Sequence, residues 1–283
     1  MKKKLVCLLI VLMLVFSFGA CGGGATDGDE ADGADSSEQS MLIKDGVLMV
    51  GFNATYPPLE YVDPETGEFV GFDVDLAKAL AAELGLEVEF VDVAWDGIFM
   101  GLDADKYDIV ISGVSMTKER VEGDEMIFTA PYLNNGQYIV VPKGVTGIDS
   151  AEKLAGLKVG VQMATTADEA CQKQLEETEF ELVQYDDITQ TFMDMETGRL
   201  DAIVVDYAVA VDYVNKNADK FELTSGKLTN EPMAVAMDPS NVELQTALNG
   251  ALATLFENGT CSEISKTHFD GFDATQDIDV EIK

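Results

Sequence analysis

Short apolar runs alternate with amphipathic segments in the first half of the chain after residue 46. Val47–Phe52 is an apolar run of strand length, and leucines follow it at i, i+4 and i+8. Asp73 stands where it could cap that helix, and Gly85 marks its end. The pattern predicts a β-α-β-α-β unit, with strands at 47–52, 87–91 and 108–111 and helices at 73–84 and 95–102.

The same order of elements recurs in the second half. Strands alternating with helices are typical of parallel sheets with helices on both faces, so the chain is predicted to be an α/β protein built from two similar halves. The second unit is predicted to have strands at 157–161, 180–183 and 201–205, helices at 165–177 and 187–197, and then a strand at 233–237 and a helix at 242–256.

The N-terminus has the pattern of a targeting segment. Three lysines precede the apolar run Leu5–Phe18, whose 14 residues are too few to span a bilayer as a helix. The small residues before Cys21 resemble the lipobox of bacterial lipoproteins, although Phe18 stands where an aliphatic residue is usual. That resemblance implies a signal peptide over 1–20 and a lipid on Cys21, and simple secretion is the alternative. Residues 21–40, acidic and without large apolar side chains, are predicted to be a flexible tether.

The charge of the chain excludes whole classes of partner. Acidic residues outnumber basic ones 52 to 18, a formal net charge of −34, which argues against nucleic-acid binding. One histidine and four cysteines argue against most histidine-based triads and metal sites, so no metal or cofactor is predicted. Cys171 and Cys261 remain in the folded part, where the sequence leaves their pairing open and we favour free, buried thiols.

Candidate binding residues follow the predicted strands, because ligands of open α/β sheets sit beyond the carboxyl ends of the strands. Asn53 and Tyr56 follow the first strand, where the pair Pro57-Pro58 makes the loop rigid. Trp95, the only tryptophan, follows the second strand. It is either a core aromatic or a wall of the cleft.

An arginine follows the third strand in a turn rich in small and hydroxyl residues. Arg120 is one of only two arginines, and its planar guanidinium matches a carboxylate with two hydrogen bonds, as lysine cannot. Gly113 and Ser115 lie in the same turn. A surface ion pair is the alternative for Arg120, and Arg199, in a separate turn, is expected to be solvated.

Two further candidates lie in the second half. Thr165 and Thr166 lead from a strand into a helix, where backbone N–H groups favour an anion, although ordinary capping explains them equally well. Asp206 ends an apolar strand and either caps the next helix or receives an ammonium group. An arginine and a helix N-terminus for a carboxylate, an acid for an ammonium and aromatic rings for a side chain together predict a site for a free α-amino acid.

Several stretches of the chain, in order, resemble one family. They are 51–61, 71–78, 107–120, 131–137, 158–162, 201–206 and 257–260. Through them the chain resembles the periplasmic or lipid-anchored polar amino-acid-binding proteins of ABC importers over about residues 46–272. That resemblance implies a type II periplasmic-binding-protein fold, in which two parallel-sheet α/β lobes are joined by two crossing hinge segments. It places lobe 1 at 41–138 and 230–283, lobe 2 at 139–229, and the hinges near 136–143 and 226–233.

The resemblance also implies a role for each candidate side chain. The ligand carboxylate would meet Arg120 and groups at Gly113, Ser115, Thr165 and Thr166. Its ammonium would meet Asp206, and its side chain would lie between Tyr56 and Trp95. Basic-amino-acid binders of this family often have an acid at the position of Asn53, which favours a neutral polar ligand here and leaves a basic one open.

By this resemblance the protein is a monomeric receptor, lipid-anchored at the extracellular face of the membrane or periplasmic, which delivers a polar amino acid to the transmembrane subunits of an ABC permease. The alternative is an enzyme on the same fold, such as a dehydratase of a carboxylated ring compound. That activity needs a general acid or base in the cleft, and no histidine is expected there. A sensor would need a membrane-spanning helix and a signalling module.

Overall fold

The computed structural model describes residues 41–278. The predicted signal peptide (1–20), the tether (21–40) and the lipidation site Cys21 lie outside the described residues. Within 41–278, no helix is both long and apolar enough to cross a membrane.

The described residues contain two five-stranded sheets and one small three-stranded sheet. The strands are β1 (Val47–Phe52), β2 (Thr55–Tyr56), β3 (Glu60–Val62), β4 (Phe69–Val70), β5 (Glu87–Asp92), β6 (Ile109–Val110), β7 (Ile127–Phe128), β8 (Gln137–Pro142), β9 (Lys158–Gln162), β10 (Glu181–Tyr185), β11 (Ala202–Asp206), β12 (Phe221–Lys227) and β13 (Ala236–Met237).

Eight α-helices connect and flank these strands, together with two short 3₁₀ helices at Trp95–Gly97 and Ala151–Leu154, within the part of the chain that the structure describes. The α-helices are α1 (Phe72–Glu83), α2 (Ile98–Asp103), α3 (Lys118–Glu122), α4 (Thr166–Leu175), α5 (Ile188–Glu196), α6 (Tyr207–Lys216), α7 (Val242–Glu257) and α8 (Thr260–His268).

The first sheet has the strand order β5-β1-β6-β13-β7. β1 is parallel to both neighbours, with Val50 opposite Phe90 and Ile109. β13 is antiparallel to β6 and to β7. The second sheet, β10-β9-β11-β8-β12, repeats this plan, because β9 is parallel to β10 and β11 whereas β8 is antiparallel to β11 and β12. The parallel strands are those that the sequence predicted, and the antiparallel strands make both sheets mixed.

The chain passes between the two sheets twice. It leaves the first sheet after Phe128 and returns to it at Ala236, so the crossing segments are 129–136 and 228–235. They touch through backbone, since a Cβ atom on Gly136 would lie 2.2 Å from the Thr229 carbonyl oxygen. The first segment precedes the hinge predicted at 136–143, because residues 137–142 form β8. The two-lobed α/β fold is confirmed, and the lobe boundaries at 138/139 and 229/230 stay a prediction.

The start of α1 differs from its prediction. The helix begins at Phe72 with Gly71 at the capping position, at φ 130°. A Cβ atom there would lie 2.2 Å from the Leu59 carbonyl oxygen, so only glycine fits. Asp73 is therefore inside the helix, fully buried, and the prediction that it caps the helix is wrong. Its carboxylate accepts a hydrogen bond from the Gly113 N–H instead (2.6 Å).

The two cysteines of the described residues, Cys171 and Cys261, are free and buried. Burial raises the pKa of the Cys171 thiol to about 12 and that of Cys261 to about 11. The prediction of free, buried thiols is confirmed, and both groups are protonated and unreactive at neutral pH.

Candidate functional site

One pocket lies between the two sheets, at the carboxyl ends of their parallel strands. It encloses about 310 Å³ of space free of atoms, including the space at its mouth. The structure brings all nine predicted binding residues to this pocket, together with three that were not predicted, Glu60, Ser112 and Gln162. The predicted residues in its lining are Asn53, Tyr56, Trp95, Gly113, Ser115, Arg120, Thr165, Thr166 and Asp206.

Asp206 is an acceptor inside the pocket. It occupies the capping position of α6, yet its side chain makes no capping hydrogen bond. Its carboxylate accepts hydrogen bonds from the Tyr56 hydroxyl, from the Asn135 amide and, at 2.8 Å, from Gln137 Nε2. Burial raises the pKa of Asp206 to about 6, although these three donors favour the ionised carboxylate and act to lower the pKa. No cation lies within 4 Å of it among residues 41–278.

Arg120 supplies the opposite charge. Its guanidinium donates to the Ser115 carbonyl oxygen at 3.0 Å and lies 5.2 Å from the centroid of the Phe99 ring. Burial lowers its pKa, whereas the charges of Glu169 and Glu231 raise it. Arg120 forms no ion pair with the residues that the structure describes, so the alternative of a surface ion pair is wrong. Arg199 is the solvated arginine, 66% exposed and paired with Asp194 at 2.6 Å.

The N-terminus of α4 also faces the pocket. The Thr165 hydroxyl caps the helix, because it accepts from the Asp168 N–H (3.3 Å) and donates to the Gln162 carbonyl oxygen (2.7 Å). The capping interpretation of Thr165 is therefore confirmed for its side chain. The Thr166 hydroxyl accepts from Gln137 Nε2 at 2.9 Å. The first N–H groups of a helix have no intrahelical acceptor, and they carry partial positive charge toward an anion.

Two aromatic side chains form walls of the pocket. Tyr56 is buried, and burial together with the charge of Asp206 raises the pKa of its hydroxyl well above the usual value. Trp95 is 9% exposed and packs edge-on against Phe99, with 5.5 Å between ring centroids. Trp95 therefore fits both predicted interpretations, because it is a core aromatic and also a wall of the pocket.

Amide side chains occupy a further part of the lining. Asn53 Nδ2 donates to the Val93 carbonyl oxygen (3.1 Å), and Gln162 Nε2 lies 3.3 Å from Asn53 Oδ1. Thr55 Oγ1 also donates to Asn53 Oδ1 and reaches Asp187 on the other side of the cleft at 3.0 Å. This part of the lining is polar and uncharged.

Sequence reasoning missed three lining residues for different reasons. Ser112 and Gln162 end strands or follow them directly, so the rule that sites lie at strand ends could have found both. Glu60 is the first residue of β3, shortly after Pro58, and no local sequence pattern marks it as a pocket residue. It is fully buried, which few glutamates are without a partner.

These features define the class of protein: two α/β lobes, linked by two crossings, with a polar pocket between them. The family model for bacterial extracellular solute-binding proteins, family 3, matches residues 48–271. The chain belongs to this family.

Individual relatives agree with that assignment. The chain is 33% identical over 244 residues to the L-cystine-binding protein TcyJ of Escherichia coli K12, covering 86% of this chain and 90% of that protein. Its fold is similar to that of an ancestral arginine-binding protein bound to arginine, with a TM-score of 0.75 and 39% identity over 79% of this chain and 98% of that one.

A third similarity bears on the enzymatic alternative. The ancestral amino acid-binding protein AncCDT-1, described as a precursor of cyclohexadienyl dehydratase, shares 36% identity with a TM-score of 0.72, covering 79% of this chain and 96% of that one. That precursor is itself described as an amino-acid-binding protein. The comparisons confirm a binding protein rather than an enzyme.

Proposed function

We propose that the protein is a receptor for a free polar amino acid, which it binds between its lobes and delivers to an ABC importer. One observation supports this most: Arg120 and Asp206 line the same pocket, and neither has an oppositely charged partner within 4 Å among the described residues. Unpaired charges in a buried site are costly. A zwitterion supplies a carboxylate for one and an ammonium for the other.

The two ends of the ligand have different surroundings. The carboxylate would lie between the Arg120 guanidinium and the N-terminus of α4, at Thr165 and Thr166, with Ser115 beside it. The ammonium would lie against Asp206 and near Gly113, whose N–H is held by Asp73 and is therefore not free for the carboxylate, contrary to what the resemblance implied. The side chain would lie between Tyr56 and Trp95.

We propose a neutral polar side chain for the ligand. Asn53 and Gln162 offer amide donors and acceptors without charge where the side chain would lie. Glu60 also lines the pocket, and burial and the nearby charge of Asp73 raise its pKa well above the usual value, which favours its protonated form. Asn53 and Gln162 give a guanidinium no charged partner, whereas the amide of glutamine or the polar groups of cystine would find donors and acceptors there.

Location and partners complete the proposal. A lipid on Cys21 would hold the receptor at the outer face of the membrane, and the acidic residues 21–40 would serve as its tether. Transmembrane subunits of an ABC permease would receive the ligand, and the receptor would act as a monomer.

A thermal-shift screen tests the function. The purified protein is heated with each of the common amino acids, with L-cystine and with carboxylated ring acids. A ligand that binds only the folded state stabilises it by about 2.7 kcal/mol at a hundredfold excess over Kd. We expect glutamine or cystine to raise the melting temperature most. A shift with arginine alone would contradict the neutral preference, and a shift with ring acids alone would contradict the function itself.

A further inference from the structure

Two buried carboxyl groups lie near each other at the pocket, where Glu60 lines it and Asp73 lies behind the lining. Glu60 opens β3 and Asp73 lies in the first turn of α1, and both are fully buried. Strand and helix are in backbone contact, because the Asp73 N–H donates to the Leu59 carbonyl oxygen at 2.8 Å. This contact brings the Glu60 and Asp73 carboxyl groups close enough for each to affect the pKa of the other.

Two of their four oxygen atoms have ordinary donors. Glu60 Oε1 accepts from the Ser112 hydroxyl at 2.6 Å. Asp73 Oδ2 accepts from the Gly113 N–H at 2.6 Å and from the Tyr132 hydroxyl at 3.0 Å. The remaining two, Glu60 Oε2 and Asp73 Oδ1, are buried and have no hydrogen-bond partner among the described residues.

A single proton shared by the two groups would give both unpartnered oxygens a hydrogen bond. Two ionised carboxylates can only accept, so neither could satisfy the other, and a buried oxygen without a donor destabilises the folded state. One proton between the groups makes a donor of one and an acceptor of the other. It also removes one of two negative charges from a buried site.

We propose that Glu60 and Asp73 share one proton, and that this pair positions the Ser112–Gly113 turn of the ligand pocket. The proton belongs on Glu60 Oε2, because Asp73 accepts two other hydrogen bonds that favour its ionised form and Glu60 accepts one. Asp73 then holds the Gly113 N–H, and Glu60 holds the Ser112 hydroxyl, which itself accepts from the Asn53 N–H at 3.0 Å.

Other titratable groups surround the pair. Burial and the charges of Asp73 and Asp206 raise the pKa of Glu60. Burial raises the pKa of Asp73 to about 7, and His268 opposes part of that rise. The charges of both acids raise the pKa of Tyr132, and that of Glu60 adds to the rise at Tyr56. The consequence for ligand binding rests on the proposed function, whereas the proton itself can be measured without ligand.

Infrared spectroscopy of the ligand-free protein detects the proton directly. At about pH 7.5 the wild-type protein should show the C=O stretching band of a protonated carboxylic acid. Glu60→Gln should remove that band, since the amide donates to Asp73 and accepts from Ser112 without a proton, and Asp206→Asn should keep it. Identical spectra of the wild type and Glu60→Gln in this region would overturn the proposal.

Urea unfolding at several pH values gives an independent measurement. The folded-state pKa of Glu60 is raised, so its contribution to stability is complete below the unfolded value and is lost as pH rises toward the folded value. Above the unfolded value of about 4.3, the folded-to-unfolded ratio of the wild type should fall by up to tenfold per pH unit relative to Glu60→Gln, until the folded value is reached. Parallel pH profiles would contradict a shared proton.

The positioning role needs a readout at the turn. The amide resonance of Gly113 in a ¹⁵N NMR spectrum reports its hydrogen bond to Asp73. Glu60→Leu leaves the Ser112 hydroxyl and Asp73 Oδ1 without partners, and should move that resonance well beyond the shift seen in Glu60→Gln. Should Glu60→Leu fail to fold, Asp73→Asn serves, because its amide donates to an ionised Glu60 and abolishes the pH dependence. An unmoved resonance in Glu60→Leu, or an unchanged pH profile in Asp73→Asn, would refute the proposal.

Discussion

The indole Nε1 of Trp95 donates a hydrogen bond to the carbonyl oxygen of Ala164, at 2.9 Å, and so joins the two lobes across the pocket. Trp95 follows β5 of the first sheet, and Ala164 follows β9 of the second. Ala164 is at φ 60°, in the left-handed region, and its N–H donates to Asp168 at 3.0 Å. The carbonyl that meets the indole is thus fixed by a turn that α4 itself stabilises.

Trp95 should therefore report closure of the lobes. It is the only tryptophan, so its emission has no background from others. When the lobes separate, the indole loses this hydrogen bond and gains water, and ligand reverses the change by favouring the closed state. We expect saturating L-glutamine to shift the emission to shorter wavelength. Unchanged emission, with binding verified by calorimetry, would remove Trp95 from the moving interface.

The hydrogen bond itself should contribute to affinity. Trp95→Phe keeps an aromatic ring against the pocket but loses the donor to Ala164. A net hydrogen bond is worth about 0.5–1.5 kcal/mol, so the Kd for L-glutamine should rise about two- to tenfold in calorimetry. An affinity equal to that of the wild type would mean that the bond does not stabilise the closed state.

Arg120 should be essential for binding. Arg120→Ala removes one partner of a buried charge pair with the ligand carboxylate, which costs about 2–5 kcal/mol, or about 30-fold to several thousand-fold in Kd. Arg199→Ala is the matched control, since that arginine is exposed and its ion pair with Asp194 lies outside the pocket lining. Similar calorimetric affinities of Arg120→Ala and Arg199→Ala would reject the carboxylate clamp.

Binding should weaken in acid because of Asp206. Its pKa is about 6, raised by burial, and the ligand ammonium favours its ionised form. Below that value the carboxyl must lose its proton before it can receive the ammonium, so the affinity falls up to tenfold per pH unit. The Kd should be about tenfold higher at about pH 5 than at about pH 7.5.

The same linkage predicts that a proton is released on binding near pH 6. Calorimetry in two buffers of different ionisation enthalpy measures this release. Asp206→Asn should bind more weakly and lose both the release and the acid limb of the pH profile. If Asp206→Asn keeps the acid limb, another group is responsible for it.

The candidate site was predictable from the sequence to the extent that it depends on strand ends. Asn53, Ser115 and Asp206 are far apart in sequence, but parallel strands bring their carboxyl ends to one edge of each sheet. The antiparallel strand β7 was missed because it has two residues, too few for a periodic pattern, whereas the strand predicted at 233–237 is present but shortened to β13. Those strands exist through their pairing with each other and with β6.

Buried acids were harder to predict, since their environment is set by distant contacts. Asp73 has the local signature of a helix cap, but the close approach of Leu59 to Gly71 moves the helix start and buries the carboxylate. Glu60 has no local signature at all. Both become informative only once the fold places Glu60 in the pocket lining and Asp73 behind it.

The identity of residue 53 should control the charge of the preferred ligand. Asn53→Asp would place a carboxylate beside Gln162 at the end of the pocket that we assign to the ligand side chain. A guanidinium gains a charged partner there, whereas the amide of glutamine gains none and faces an acceptor where Asn53 offered a donor. We therefore expect the ratio of the Kd for arginine to the Kd for glutamine to fall about tenfold or more in calorimetry. Asn249→Asp is the matched control, because it adds the same charge on α7, where Oδ1 accepts from the Ala130 N–H at 2.7 Å, outside the pocket lining. An equal change of the ratio in both variants would assign the effect to overall charge, and a wild type that already prefers arginine would contradict the neutral preference from which the prediction starts.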